Sequence, residues 1–530
     1  MIMKKNICLC LLAVLCCLPT WAQQKNAASS YEASIKKLYM AHLAISSLYV
    51  DTVDTDKLTE DAIVGMLKEL DPHSAYSNAK DTKAMNEPLQ GNFEGIGVQY
   101  NMLDDTLFVI QPVSKGPSEK AGILAGDRII SVNDTAIAGV KMSREEIMRR
   151  LKGPKGSVVH LGVIRNGIDE VLTFDVKRDK IPMTSVDAAY MVTPKTGLIR
   201  ISSFGAKTHD ELQKAMKKLK DQGMKNLILD LQQNGGGYLG AAIDIANEFL
   251  EQNDLIVYTK GRRAPYSEYK AKGNGSFKDG KIAVLVDEYT ASAAEIVTGS
   301  IQDHDRGVVI GRRTFGKGLV QRPLDLPDGS QLRLTIARYY TPVGRCIQKP
   351  YENGNRTSYN MDVINRYNRG ELVHADSIHF PDSLKYKTLK KGRIVYGGGG
   401  IMPDYFIPLD TTKYTKYHRE LVAKGIVTNT SLKYSDRYRK QIQKQYKDFD
   451  SFLKNFQVGE EEMAILNEEA EKRSVKPKDE EERAKTLPQL KLQLKALLAR
   501  DLWDMSEYFQ VMNQENEAVK KAVELLEEKR

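Results

Sequence analysis

The sequence predicts an α/β protein: a βα-wound sheet at its centre, a mainly β module in front of it, and helical arms at both ends. Three observations carry that expectation. From about Ile181, short apolar runs alternate with helical stretches, the pattern of a sheet wound through crossover helices. Ahead of them, from about Gln90, the runs are short, β-type and separated by Gly126-Asp127, Asn133-Asp134 and Asn166-Gly167. The chain has 530 residues, 41% hydrophobic and 28% charged, which suits a globular protein of about three domains with a sizeable core.

The chain opens with Lys4 and Lys5 before an apolar run over 7–18, about the length of a secretory h-region and too short to cross a bilayer comfortably. Thr20-Trp21-Ala22 places small residues at the two cleavage-determining positions. Residues 1–22 therefore read as a signal peptide, with retention as an anchor the alternative, and the chain is expected to be exported to the periplasm or cell envelope of a bacterium. Four of the five cysteines (Cys8, Cys10, Cys16 and Cys17) lie in this leader, so the mature chain keeps only Cys346 and forms no internal disulfide.

Residues 23–88 form a helical arm, because Ile35, Leu38, Leu43, Ile45 and Leu48, then Ile63, Leu67 and Leu70, recur at helical spacing until Asp71-Pro72 stops them. Residues 89–180 hold strands over 97–100, 107–112, 128–133, 158–164 and 171–176. The one helix among them starts at a capping box, Ser143 with Glu146, ahead of Ile147 and Leu151. Residues 181–410 alternate strands (198–202, 227–231, 282–286, 308–311) with helices (210–219, 239–250, 293–301). Residues 411–530 turn polar and helical, with apolar positions at Leu490, Leu494, Leu497, Leu502 and Phe509, and read as a docking or oligomerisation arm. Lys and Arg number 78 against 69 Asp and Glu. The excess is spread rather than striped, which argues against a nucleic-acid partner.

Chemistry is expected where core strands end. The 227–231 strand runs into Gln233-Asn234-Gly235-Gly236-Gly237, whose glycines let backbone N–H groups face an anion or a developing oxyanion. A plain tight turn is the alternative there. The 282–286 strand leads to Thr290-Ala291-Ser292-Ala293-Ala294-Glu295, which sets Ser292 at a helix N-terminus where the next N–H and the dipole favour negative charge. Ser292 with Glu295 fits a capping box equally well. Neither His209 nor His304 sits in a recognisable catalytic signature, and no His-Glu-x-x-His pattern occurs. Lys317, in Thr314-Phe315-Gly316-Lys317-Gly318, is the better base candidate, provided burial lowers its pKa from ~10.4 toward neutrality. An ordinary surface lysine is the alternative.

The run Thr290 to Glu295, then Gly311, then Phe315-Gly316-Lys317-Gly318-Leu319-Val320-Gln321, resembles the C-terminal processing peptidases, or tail-specific proteases, in the order and spacing of their Ser-Lys-Gln set. Asp71-Pro72-His73-Ser74-Ala75-Tyr76, Asp230 to Gly237, and Gly399-Gly400-Ile401-Met402-Pro403-Asp404 extend the resemblance over most of residues 60–410. Gln232 and Gly235 stand where relatives often have Arg and Pro. The resemblance implies a crotonase-like core in which Ser292 attacks the scissile carbonyl, Lys317 takes its proton, and Gln321 orients the lysine. It also implies an oxyanion hole from the N–H of Ala293 with that of Gly236 or Gly237.

Phe93-Glu94-Gly95-Ile96-Gly97-Val98 resembles the carboxylate-binding loop of a PDZ domain, and the 128–133 strand and capped 143–151 helix follow in PDZ order. Gly95, Ile96, Gly97 and Val98 would then hold a peptide's terminal carboxylate, and the surface near Ile147 its last side chain. The resulting expectation is an exported serine endopeptidase acting on proteins or peptides with accessible C-terminal tails, needing no metal or organic cofactor. Membrane association and homo-oligomerisation through the helical arms are further expectations. A ligand carrier or a PDZ adaptor on the same fold is the rival.

Overall fold

The computed structural model describes residues 30–528, which fall into two compact units. The leader read from residues 1–22 lies outside the described residues. The smaller unit combines the chain up to Asn78 with residues 323–334 and 351–356. It contains helices α1 (30–48) and α2 (Thr55–Lys68) and strand β1 (Ala75–Ser77), which pairs antiparallel with 331–333. Asp54 caps α2 by accepting from the Lys57 N–H. The expected stop at Asp71-Pro72 is a turn in which the Asp71 carboxylate accepts from the N–H groups of His73 (3.0 Å) and Ser74 (3.2 Å) and from the Ser74 hydroxyl (2.5 Å).

The larger unit begins with α3 (Ala79–Gln90) and the β module. Strand β2 (Asn92–Gly95) is not among the predicted runs, whereas β3 (Val98–Leu103), β4 (Thr106–Pro112), β5 (Arg128–Val132), β6 (Val158–Ile164) and β7 (Leu172–Lys177) match them to within a few residues. Their sheet runs β3-β4-β5-β6-β7, so β3 is an edge strand. Helix α4 (Arg144–Leu151) starts as predicted, with the Ser143 hydroxyl accepting from the Glu146 N–H. Strand β2 leaves this sheet to pair with β8 (Asp179–Pro182), closing the module at its base.

The core sheet runs β9 (Val186–Met191), β10 (Thr196–Ile201), β11 (Asn226–Asp230), β12 (Lys281–Val286), β13 (Val308–Gly311) and β14 (Tyr405–Phe406), parallel except for β9. Its strands read as continuous apolar runs because both faces are covered. On one face Ile199, Leu229 and Val284 pack against α5 (Thr208–Asp221), α6 (Leu239–Asn247) and α7 (Ala293–Asp303). On the other, Leu198, Ile228, Ala283, Leu285 and Ile310 meet Ala518, Val519, Ala522 and Leu526 of the last helix.

The C-terminal region is therefore more than an arm. It builds its own core around Leu421, Leu466, Leu494 and Leu498 and includes the long α8 (Ile426–Gln445), then α9 (Met505–Met512) and α10 (Glu517–Glu527). Helix α10 seals the second sheet face, and Phe509 of α9 lies under the Arg200 guanidinium, 4.4 Å from it. The docking expected of this region takes place within the chain itself. Among the described residues no helix is long and apolar enough to cross a membrane.

Candidate active site

The two predicted strand-to-helix joints, after β11 and β12, meet a third loop that follows β13. Asp287, at the end of β12, links the first two. Its carboxylate accepts from the Gln233 N–H (3.1 Å) and side-chain amide (2.5 Å) and from the N–H groups of Tyr289 (3.0 Å) and Thr290 (3.1 Å). Burial raises its pKa above the ordinary carboxylate value. The Ala291 N–H donates to Asn234 O (2.9 Å) and the Thr290 hydroxyl to Leu231 O (2.9 Å), completing the seam.

Gly236 sits directly against the serine. Its φ is +97°, and a Cβ there would lie 2.8 Å from both Ala291 O and Ser292 Cβ and 2.9 Å from the Ala293 N, so no larger residue fits. Its N–H is taken by the Asn234 side-chain oxygen (2.8 Å). The neighbouring Gly237 forms a bridge to Phe204, which donates to Gly236 O (3.0 Å) and accepts from Tyr238 N (2.7 Å).

Ser292 has φ +57° and ψ −116°, a strained backbone for a residue with a side chain. Only one half of the expected capping box forms: the Ser292 N–H donates to Glu295 (2.8 Å), while the serine hydroxyl makes no capping bond to its helix. The hydroxyl is thereby left to other chemistry at the start of α7, with Ala293 buried behind it.

Glu295 does much more than cap. One carboxylate oxygen accepts from the Ser292 N–H and the Lys317 N–H (2.9 Å); the other accepts from the Thr314 hydroxyl (2.5 Å) and the Gly316 N–H (2.8 Å). The serine joint and the lysine loop are thus clamped by one fully buried carboxylate, whose pKa burial pushes up to about 7 against the four donors. Tyr339 adds a second clamp, its hydroxyl lying between the carbonyl oxygens of Ser292 (3.0 Å) and Lys317. Burial holds this phenol well above its ordinary pKa, so it stays a donor.

Lys317 is half-buried, and its amine donates to the Gln321 side-chain oxygen (3.2 Å), the pairing that the family resemblance implies. Its loop is fixed from outside by the Gly318 N–H to Gln348 (2.8 Å), the Lys349 N–H to Gly316 O (2.9 Å) and the Thr314 N–H to Ile401 O (3.0 Å). The Lys349 ammonium stands 3.9 Å from the ring centre of Phe315 and 4.0 Å from that of Tyr359, and pairs with Asp362 (3.0 Å).

In the β module, the loop joining β2 to β3 turns at Gly97 (φ +73°). Ile96 O accepts from the Ser118 N–H (3.0 Å) and hydroxyl (2.7 Å), and Gly97 O from the Val113 N–H (2.9 Å). Among the described residues the N–H groups of Ile96 and Gly97 have no acceptor. The structure places Gly95, Ile96, Gly97 and Val98 together at the head of edge strand β3. Ile147 is fully buried in the module's core, in the same apolar cluster as Ile96 and with Val98 packed against that cluster. The face of α4 turned to β3 carries Arg144, whose guanidinium covers the Tyr100 ring at 5.3 Å, and Met148 one turn on.

Sequence reasoning missed Asp287, Tyr339, Gln348 and Lys349, and saw in Glu295 only a cap. Asp287 stood immediately beyond an apolar strand, a position that could have singled it out; Tyr339 comes from a distant strand and Gln348 and Lys349 from the loop after it, with no local signal. Among the described residues no group of three or more His, Cys, Asp and Glu side chains is placed to hold a metal ion.

Comparison with known proteins bears on the same segments. Residues 195–354 match the model of peptidase family S41, 95–177 that of the PDZ domain, and 18–82 that of the activating protease CtpB N-terminal domain. Residues 417–504 match a family of unknown function. The chain is 38% identical over 309 residues to a carboxy-terminal-processing protease of Bartonella bacilliformis, covering 57% of this chain and 70% of that one. The chain belongs to peptidase family S41. This S41 peptidase, a serine peptidase with a PDZ domain, is also 36% identical over 371 residues to a probable CtpA-like serine protease of Staphylococcus aureus (69% of this chain, 73% of that one). With the carboxy-terminal processing protease CtpB of Bacillus subtilis the figure is 33% over 327 residues (61% and 68%).

Proposed function

We propose that this S41 peptidase captures the C-terminal tail of a substrate protein in its PDZ groove and hydrolyses a peptide bond at Ser292. The observation that carries the reading is the Glu295 clamp, which ties the backbone of Ser292 to that of Lys317 while the lysine amine is aimed by Gln321. Neutral Lys317 accepts the serine proton as Oγ attacks the scissile carbonyl, then delivers it to the leaving amine; water repeats the sequence on the acyl-enzyme. The Ala293 N–H supplies one oxyanion donor. Because Asn234 occupies the Gly236 N–H, Gly237 supplies the other.

Tail capture follows from the β2–β3 loop. A terminal carboxylate takes the N–H groups of Ile96 and Gly97, and the last residues of the tail add a strand to the open edge of β3 beside α4. The Lys4, Lys5 and Ala22 leader supports export to the cell envelope.

The test uses the full chain and two fluorogenic peptides that differ only at the C-terminus, one a free acid ending in an apolar residue and one its amide. The acid should have the higher kcat/KM by roughly ten- to a hundred-fold, the equivalent of one charge-assisted contact. Ser292→Ala should cleave neither. Equal turnover of acid and amide would overturn tail recognition, and cleavage by Ser292→Ala would overturn the assigned nucleophile.

A further inference from the structure

Strand β4 of the PDZ domain is buried on both faces. Leu107 and Val109 point into the domain's core, whereas Phe108 and Ile110 leave it on the opposite side and, with Leu103, meet Leu432 of α8. Phe108 and Leu432 have no exposed surface. Charged contacts ring this apolar patch. Arg128 of β5 pairs with Asp436 at 2.6 Å, Lys433 reaches both Asp104 (3.0 Å) and Glu469 (2.8 Å), and Arg439 donates to Ile110 O (3.4 Å). Leu432, Lys433, Asp436 and Arg439 share one face of α8, so the helix meets the PDZ sheet broadside.

The contact has two further properties. It uses the outer face of β4 and β5 with the last residue of β3, and no strand pairs with the outer edge of β3, where a tail would add. Helix α8 also belongs to the C-terminal helical core, which is joined to the protease sheet through α9 and α10. The PDZ domain is consequently held at two places: at its base by β2 and β8, and from behind by α8.

We propose that α8 is a clasp, and that the region matching a family of unknown function is a brace which fixes the PDZ domain relative to the protease core so that a captured tail delivers its upstream segment to Ser292. The physical reason is effective concentration: a tail bound to a fixed PDZ domain presents the scissile segment in a small volume, and a PDZ domain swinging on its base alone dilutes it. Arg128 and Asp436 act here as positioning residues. The inference rests on the tail-binding reading above.

The experiment reverses the ion pair in the full chain: Arg128→Asp, Asp436→Arg, and the two together. Three quantities are read: kcat/KM for the acid and amide peptides, the affinity of a short uncleaved tail peptide, and hydrogen exchange over 103–110. Each single variant should speed exchange in β4 and lower the acid-to-amide preference by about ten-fold or more, while cleavage of the amide and affinity for the short tail stay within about two-fold. The double variant should recover both exchange and preference, a rescue that general destabilisation would not produce. If either single variant fails to fold, Leu432→Ala takes its place, with the same expected loss of preference.

Unchanged preference in the singles, with or without faster exchange, would overturn the clasp, as would a parallel loss on acid and amide that the double variant does not restore. A wild-type chain with no affinity for the tail peptide would instead overturn the tail reading itself, and the exchange data would then show separately whether α8 holds the domain.

Discussion

Glu295→Gln should make the peptidase far less active while changing its stability in a direction that depends on pH. An ionised Glu295 offers acceptors to four donors, two at each oxygen. Glutamine offers acceptors at one end only, so it can hold Ser292 and Lys317 or Thr314 and Gly316, but not all four, and a buried N–H is left facing the amide nitrogen. Loss of the shared clamp misplaces the proposed nucleophile, Ser292, relative to the proposed base, Lys317, which should lower kcat about a hundred-fold with little change in KM.

The stability effect follows from linkage. Burial raises the Glu295 pKa from 4.5 to about 7, so between these values the folded chain binds a proton that the unfolded chain has released. The group's contribution is fully present below pH 4.5 and is lost as pH rises through 7. At 1.36 kcal/mol per pH unit that loss is about 3 kcal/mol, and glutamine, which does not titrate, is free of it. At pH 5 the variant should be less stable than wild type by about 1–3 kcal/mol, the cost of one unsatisfied buried group. By pH 8 the difference should vanish or reverse. Urea unfolding of both chains at the two pH values measures it. A stability difference that stays constant or grows with pH would refute the reasoning, and so would a glutamine variant with wild-type kcat.

Three other outcomes are expected. Lys317→Arg should be nearly inactive, since arginine keeps its proton at any working pH, and the wild-type rate should rise with pH as the lysine amine deprotonates; steady-state kinetics across pH measure both. Gly236→Ala should lower kcat at least about ten-fold and cost about 1–3 kcal/mol, because the new Cβ meets Ser292 and Ala293 in a left-handed conformation, while Gly235→Ala, with nothing within 4 Å, should behave as wild type. N-terminal sequencing of protein from its native host should find the mature chain beginning near Gln23; a chain beginning at Met1 would remove the export proposal.

Local sequence signals located β3 to β7, α4, β10 to β13, α5 to α7 and the site loops because each was self-announcing: alternating or continuous apolar runs, Ser143 three residues before Glu146, glycines after strands; α3, β2, β9 and the strands at 255–260, 319–325 and 331–340 carried no such signal. Signals of the same kind could not separate Ser292 as cap from Ser292 as nucleophile. The feature that favours the proposed nucleophile, a φ of +57°, belongs to a turn whose neighbours Asn234 and Gly236 come from another strand end. Glu295 was visible as a capping residue, yet its three other donors come from a loop some twenty residues on, and Tyr339 and Lys349 reach the site from more distant segments still. The C-terminal region was readable as helical but not as a partner. Its docking faces were encoded in the strands they cover, since Leu227 to Leu229 and Leu107 to Ile110 are apolar at successive positions and so required a second layer.

The central claim is that Ser292 is a nucleophile activated by Lys317. Mapping the adduct formed with a serine-directed fluorophosphonate on the full chain tests it most directly, with Ser292→Ala and Lys317→Met as companions. Mass spectrometry should place a single adduct on the peptide containing Ser292, find none in Ser292→Ala, and find its formation slowed at least about a hundred-fold in Lys317→Met. An adduct on another serine, or equally fast modification of Ser292 without the lysine, would contradict the account.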